Sequence, residues 1–105
     1  MQIQIHEAGP TATIVMVGRL DVSGAGVVAL PLATLSGSKD KLIIDMAGVT
    51  FIASIGLRYL TSAARSIRGK GGRLTLRNPA AVVADVIRTS GLMEFLPTEC
   101  ANEPS

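Results

Sequence analysis

Ser54 stands at the head of Ile55-Gly56-Leu57, directly after the largely apolar run from Leu42 to Ala53. A hydroxyl where a strand's connection turns into a helix has two uses. As an N-cap it accepts a hydrogen bond from a backbone N–H two or three residues on, worth roughly 1 kcal/mol. As a phosphate acceptor it carries a group that the free N–H groups and macrodipole of a helix entrance favour. The sequence is compatible with both. Arg58 lies four residues on, one turn up the same side, where it can pair with such a phosphate or simply stand solvated. Ser54, Arg58, Ser62 and Arg65 form a polar stripe, and Ile55 and Tyr59 flank it as candidate interface anchors. Ile55 is equally placed to staple the preceding loop.

Other reactive side chains form no catalytic constellation. His6 is the only histidine and falls in a first strand with no partner motif. Asp21 and Asp45 both stand at expected strand ends, where each reads as a cap or loop anchor before it reads as an acid or base. Gly24-Ala25-Gly26 and Gly69-Lys70-Gly71-Gly72 match no phosphate-binding fingerprint. The second leads into a strand rather than opening a helix, the wrong geometry for cradling phosphate.

The elements that must position Ser54 follow from periodicity. Gln2 to Glu7 alternates, with Ile3 and Ile5 on one side, and Thr11 to Leu20 alternates with Ala12, Ile14, Met16 and Gly18 on one face. Ala8-Gly9-Pro10 is turn chemistry between them, predicting a hairpin-like pair. Asp21 can cap a helix expected from about Gly24 to Leu35, loosened or kinked by Gly24, Gly26 and Pro31. Ser36 to Asp40 reads as a surface loop. Lys41 to Met46 is a short apolar run fitting a central strand covered on both faces. Ile55 to Arg68 carries apolar residues at 57, 60, 64 and 67, one face of a helix that Gly69, Gly71 and Gly72 end. Arg73 to Arg77 is a strand with Leu74 and Leu76 inward. Asn78-Pro79 predicts a helix start, Asn as cap and Pro at the first helical position, with Val82, Val83, Val86 and Ile87 as its apolar face and Ser90-Gly91 as its close. Leu92, Phe95 and Leu96 are expected to return to the core. The order predicts an α/β domain, a mixed sheet of four to five strands with helices packed mainly on one side.

Composition sets the bounds. The 105 residues predict one domain over residues 1–98, followed by a polar tail over 99–105. Apolar residues make up 48% and aromatics only 3%, so the core rests on Leu, Ile, Val and Ala. A single cysteine, Cys100, excludes an internal disulfide or a multi-cysteine metal site. No run reaches transmembrane length and the N-terminus lacks a signal-peptide pattern, so the expectation is a cytoplasmic protein with no membrane insertion. Net charge is only +2, but Arg58, Arg65, Arg68, Lys70, Arg73, Arg77 and Arg88 face only Asp85 between positions 58 and 88. This is a docking field for an acidic partner or a solvated basic face. Direct nucleic-acid binding is not expected, since Tyr59 is the only aromatic nearby.

Gly18-Arg19-Leu20-Asp21, then Ile43 through Leu57, then Gly72-Arg73-Leu74-Thr75-Leu76, then Ser90-Gly91-Leu92 together resemble the STAS domain, and most closely the bacterial anti-sigma factor antagonists. The resemblance runs from about Ile3 to Leu96 and is carried by order and spacing. It implies a binding module rather than an enzyme, without cofactor or metal. It implies an anti-sigma factor with serine-kinase activity as partner, which the unmodified antagonist binds so that sigma factor is released. A PP2C-type phosphatase would reverse the kinase's phosphorylation of the helix-entrance serine. Ser54 falls on the phosphorylated position and Asp21 on the acidic residue of the loop near it. The implied contact surface is Asp21, Ser54, Ile55, Arg58, Tyr59 and Ser62. The chain departs from the family pattern at Ala53, where an aspartate is usual, at Ile55, where a second hydroxyl is usual, and at Arg58, where a small residue is common. The family's C-terminal helix is shortened or absent. The less polar Ala53 and Ile55 also suit a permanently engaged STAS subunit of a larger assembly, such as a membrane lipid-transport ABC complex.

Overall fold

A computed structural model of the chain describes residues 1–91 and the short strand Thr98–Glu99. Alternation in the first twenty residues gives β1 (Gln2–Ala8) and β2 (Thr11–Leu20), paired antiparallel around a turn in which Gly9 takes φ 61°. Asp21 then opens α1 (Val22–Ser38), and the chain continues through β3 (Lys41–Ile52), α2 (Ser54–Gly69), β4 (Arg73–Arg77), α3 (Ala81–Thr89) and β5 (Thr98–Glu99). The sheet order is β1-β2-β3-β4-β5, with β2, β3, β4 and β5 parallel to one another, so the architecture is the expected mixed sheet with helical connections.

One face of this sheet builds the core. Ile14 and Met16 of β2, Leu42, Ile44 and Met46 of β3 and Leu74 and Leu76 of β4 are buried there. Val28, Leu32 and Leu35 of α1, Leu57, Leu60, Ala64 and Ile67 of α2, and Val83 and Ile87 of α3 close over the same cluster. The α2 residues are those the helical spacing selects. Each buried Leu or Ile contributes about 1.5–3 kcal/mol by removal from water. Opposite the core, Ile43 and Thr75 are also buried, as befits central strands.

Four local expectations are corrected. β3 does not end at Met46 but runs to Ile52, because one extra residue in β3 between Asp45 and Gly48 and another between Val49 and Phe51, opposite the Val15/Val17 and Gly18/Arg19 steps of β2, bulge and let the two strands stay paired. Asp45 turns back on itself at this point, its Oδ1 accepting from the Ala47 N–H at 3.0 Å. α1 is longer than the glycines and Pro31 suggest, since Gly24, Ala25, Val28, Leu32 and Leu35 are buried and hold it in place. Its last turn absorbs the expected Ser36 loop, with Ser36 and Ser38 hydroxyls donating to the Ala33 and Thr34 carbonyls. α3 begins at Ala81 with Ala80 as N-cap, not at Asn78-Pro79. Asn78 instead takes φ 53°, a left-handed turn that asparagine tolerates. Gly91 does take the left-handed φ of 79° expected after a helix. The expectations for Leu92, Phe95, Leu96, Cys100 and the tail lie outside the described residues.

Candidate functional site

Two helix entrances meet at the end of β2. Leu20 pairs with Ile52 across the parallel ladder, and the Ala53 N–H donates to the Leu20 carbonyl at 3.0 Å. Asp21 and Ser54 therefore leave the sheet at the same level, on neighbouring strands. Glycine makes the close approach possible on both sides. A Cβ on Gly24, in the first turn of α1, would lie 2.1 Å from the Arg19 carbonyl oxygen. One on Gly56, in the first turn of α2, would lie 2.7 Å from Leu20 Cγ and 3.0 Å from the Leu20 carbonyl oxygen. The first turns of both helices rest on Arg19-Leu20.

The two entrances differ in how they are capped. At α1 the Gly24 N–H donates to Asp21 Oδ1 at 3.0 Å, the expected N-cap. This bond, followed by Arg19, whose Nε lies 3.5 Å from Asp21 Oδ2, holds the Asp21 carboxyl below its ordinary range. At α2 the N-cap is Ala53, which has no side chain to cap with, and Ser54 is already the first helical residue. The capping role expected for Ser54 is thus corrected: the serine arrives one residue too late. Its side chain is exposed, and among the described residues its hydroxyl has no hydrogen-bond partner. The first turn of α2 carries no acidic residue.

Around Ser54 the structure gathers several of the residues singled out above. Ser54, Arg58, Ser62 and Arg65 are all exposed on one side of α2, and with Leu57 and Thr61 they line a shallow groove of about 360 Å³. Tyr59 is half-buried against the core and lines a second groove, between α2 and α1, while Ile55 is half-buried. Asp21 joins them through the strand ends rather than through α2. His6 is exposed on edge strand β1, opposite Thr13, remote in the sheet from these entrances. Asp45 is engaged by its own turn. Among the described residues no group of three or more His, Cys, Asp or Glu side chains is placed to hold a metal ion, and no helix is long and apolar enough to cross a membrane.

Sequence reasoning missed Arg19 and Phe51. They pair in register across β2 and β3, and the Arg19 guanidinium sits 4.3 Å from the centre of the Phe51 ring. Phe51 is 39% exposed, an aromatic face beside the Ser54 entrance. The signal was present in the parallel pairing of the two strand ends, but the bulges that set this register are not readable from periodicity.

Two predictions follow from this geometry. Gly56→Ala gains helix propensity yet lowers stability by about 1–3 kcal/mol, because its methyl group overpacks Leu20. Gly26→Ala, exposed in α1 with open space around its Cβ, raises stability by about 0.5–1 kcal/mol. Urea denaturation of the two variants checks the contrast. For Asp21, a folded-state pKa below the unfolded one gives stabilisation that is fully present above the ordinary carboxylate range. It is lost as pH falls through the lowered value. Asp21→Asn keeps the capping acceptor, so its acid unfolding curve loses this pH dependence while its neutral-pH midpoint stays above that of Asp21→Ala.

Comparison with known proteins agrees with this architecture. A family model described as "Mlab, STAS domain" matches residues 3–97. Among solved structures, the anti-sigma factor antagonist SpoIIAA in its unphosphorylated form superposes with a TM-score of 0.80 at 23% identity, over 93% of this chain and 88% of that one. The phosphorylated form of SpoIIAA, the Bacillus cell fate determinant, gives 0.75 at 22% identity, over 93% and 91%. An anti-sigma factor antagonist from Mycobacterium paratuberculosis gives 0.82 at 19% identity, over 92% and 83%. No curated protein sequence matches the chain significantly. With the family match spanning nearly all of the sequence and the same fold in these antagonists, the chain belongs to the STAS domain family.

Proposed function

We propose that the chain is an anti-sigma factor antagonist, a protein-binding module switched by phosphorylation of Ser54. In its unmodified form it binds a serine-kinase-type anti-sigma factor through Asp21, Ser54, Ile55, Arg58, Tyr59 and Ser62, so that sigma factor is set free. Phosphorylation by that kinase ends the contact, and a PP2C-type phosphatase restores it. The work is binding rather than catalysis, and its setting is the cytoplasm, where sigma factors act.

The observation that carries this reading is the state of the Ser54 hydroxyl: exposed, unpartnered, and at the first position of a helix whose entrance lacks both a side-chain cap and an acidic residue. A phosphate there adds about −1.5 to −2 charges at neutral pH. The free N–H groups of the first turn and the positive end of the macrodipole stabilise it. Arg58, one turn on, is exposed, and among the described residues it has no ion-pair partner, so it is available to the phosphate. The same charge adds to that of Asp21 on the neighbouring strand end and reverses the local field met by a partner. The likeness in fold to both the unphosphorylated and the phosphorylated SpoIIAA supports the same reading. Ala53 leaves the acceptor in place and removes only a neighbouring carboxylate, so recognition by the kinase rests on the remaining residues of the surface.

The test is calorimetric titration of the chain with a kinase-type anti-sigma factor from the same genome. Ser54→Ala retains binding, and Ser54→Asp weakens it by about tenfold or more, equivalent to about 1.4 kcal/mol. Equal affinity of the two variants would overturn the switch.

A further inference from the structure

Strand β1 is an edge of the sheet without the usual protection. All of its seven residues but Ile3 are exposed, and its pairing to β2 runs unbroken from Gln2 to Ala8. Edge strands are normally blunted by lysine, proline, a bulge or a covering element, since their outer N–H and C=O groups pair readily with another chain. β1 has no lysine, proline or bulge, and its one acidic residue, Glu7, is tied back to Lys39 at 2.9 Å. α1 packs over β2 and leaves β1 at the rim. The consequence falls on Ile5. It shares the core face of the sheet with Ile14, its register partner, yet Ile14 is fully buried and Ile5 is 41% exposed. A hollow of about 410 Å³ lies along the first half of the strand, lined chiefly by the opposite-face residues Gln2, Gln4, Val15 and Val17. His6 is exposed on that same face in the second half.

We infer that β1 pairs antiparallel with β1 of a second copy of this chain, about a two-fold axis at Ile5. In this register the whole strand is used. Ile5 meets its own counterpart, Gln4 meets His6, Ile3 meets Glu7 and Gln2 meets Ala8. The fit to itself selects this occupant, since a two-fold interface must be self-complementary. Every pair joins residues of the same face, so both faces of the sheet continue across the junction. The exposed isoleucine is covered by an identical side chain, the kind of cross-strand pair that stabilises sheets. His6 of each copy arrives beside the hollow of the other, opposite the Gln4 amide. The two Glu7 carboxylates stand four positions apart along the junction, about 14 Å. That exceeds the screening length of about 10 Å at moderate salt, so like charges are not opposed. An edge of about 24 Å is a small contact by the standard of permanent dimers, so the pair forms in the micromolar range or weaker. Ser54 and α2 stand beyond β2, on the side of β3, so the pairing leaves their surface open. The inference goes beyond the Ser54 switch and does not rest on it.

The experiment uses the full chain alone, by sedimentation equilibrium from about 10 µM to about 1 mM, a span that captures dissociation constants across the micromolar range. The average mass rises from one chain toward two. Over the same range, hydrogen exchange read by nuclear magnetic resonance slows at alternate amides of Gln2–Ala8, those directed away from β2. In a mixture of labelled and unlabelled chains, intermolecular proton contacts link Ile5 to Ile5. Ile5→Lys sets two ammonium groups against each other on the axis and weakens the dimer by about tenfold or more. The position is exposed, so a dispersed amide spectrum of this variant establishes that the fold is kept. Leu30→Lys alters the exposed apolar side chain of α1, which is 75% exposed, and leaves the dimer unchanged. A chain that stays monomeric at the highest concentration would overturn the inference, and such an edge would then serve a strand of a different protein or none. A dimer that survives Ile5→Lys, one lost in Leu30→Lys, or one without added protection in β1 would overturn it equally. No kinase and no phosphate enter this experiment, so its failure leaves the Ser54 reading standing, and the reverse also holds.

Discussion

The structure depends on the close seating of two helix entrances on the backbone of Arg19-Leu20. The Leu20 carbonyl accepts the Ala53 N–H, its side chain is fully buried, and a methyl group on either Gly24 or Gly56 would collide with this segment. Parallel pairing of Leu20 with Ile52 fixes the level at which both chains leave the sheet. Asp21 and Ser54, thirty-three positions apart in sequence, are brought to one end of the domain by these contacts and by no direct bond between them. The rest of the core, from Ile14 and Met16 to Leu60 and Ile67, serves to hold the helices at that seat.

Within this frame the two entrances have opposite chemistry. α1 is closed: Asp21 caps it, and Arg19 reaches the same carboxylate while stacking on Phe51. α2 is open: Ala53 caps nothing, and the N–H groups of its first turn meet no acidic side chain. A capping side chain at position 53 would contribute roughly 1 kcal/mol that the present sequence forgoes. The stabilisation forgone at the entrance leaves a helix end with positive character and a serine hydroxyl beside it. Such an end responds strongly to added negative charge, which is the property a phosphorylation switch requires. The amphipathic packing of α2, with Leu57, Leu60, Ala64 and Ile67 buried, keeps the helix formed without the cap.

Much of this was legible in the sequence because it is periodic. Alternation marked β1 and β2, the 57-60-64-67 spacing marked the buried face of α2, and Asp21 before a glycine-rich apolar stretch marked a cap. The family resemblance followed from the order of these pieces, and the family match and the fold agree with it. Where the reading failed, tertiary contacts overrode local preference. α1 runs through Pro31 because its buried face is anchored, and β3 reaches Ile52 because bulges in β3 itself keep the strands in step. Asn78 turned left-handed instead of capping α3. Ser54 was misassigned by a single residue, and that residue matters most, since it decides whether the hydroxyl is engaged or free. The Arg19–Phe51 pair was invisible because its register depends on those same bulges.

The most direct test of the account is site mapping of phosphate. The purified chain is incubated with ATP and a kinase-type anti-sigma factor from the same genome, digested, and fragmented in a mass spectrometer. The account predicts one added phosphate, carried by Ser54 and by none of the neighbouring hydroxyls at Thr50, Thr61 or Ser62. A chain that stays unmodified, or a phosphate on any of those other residues, would contradict it.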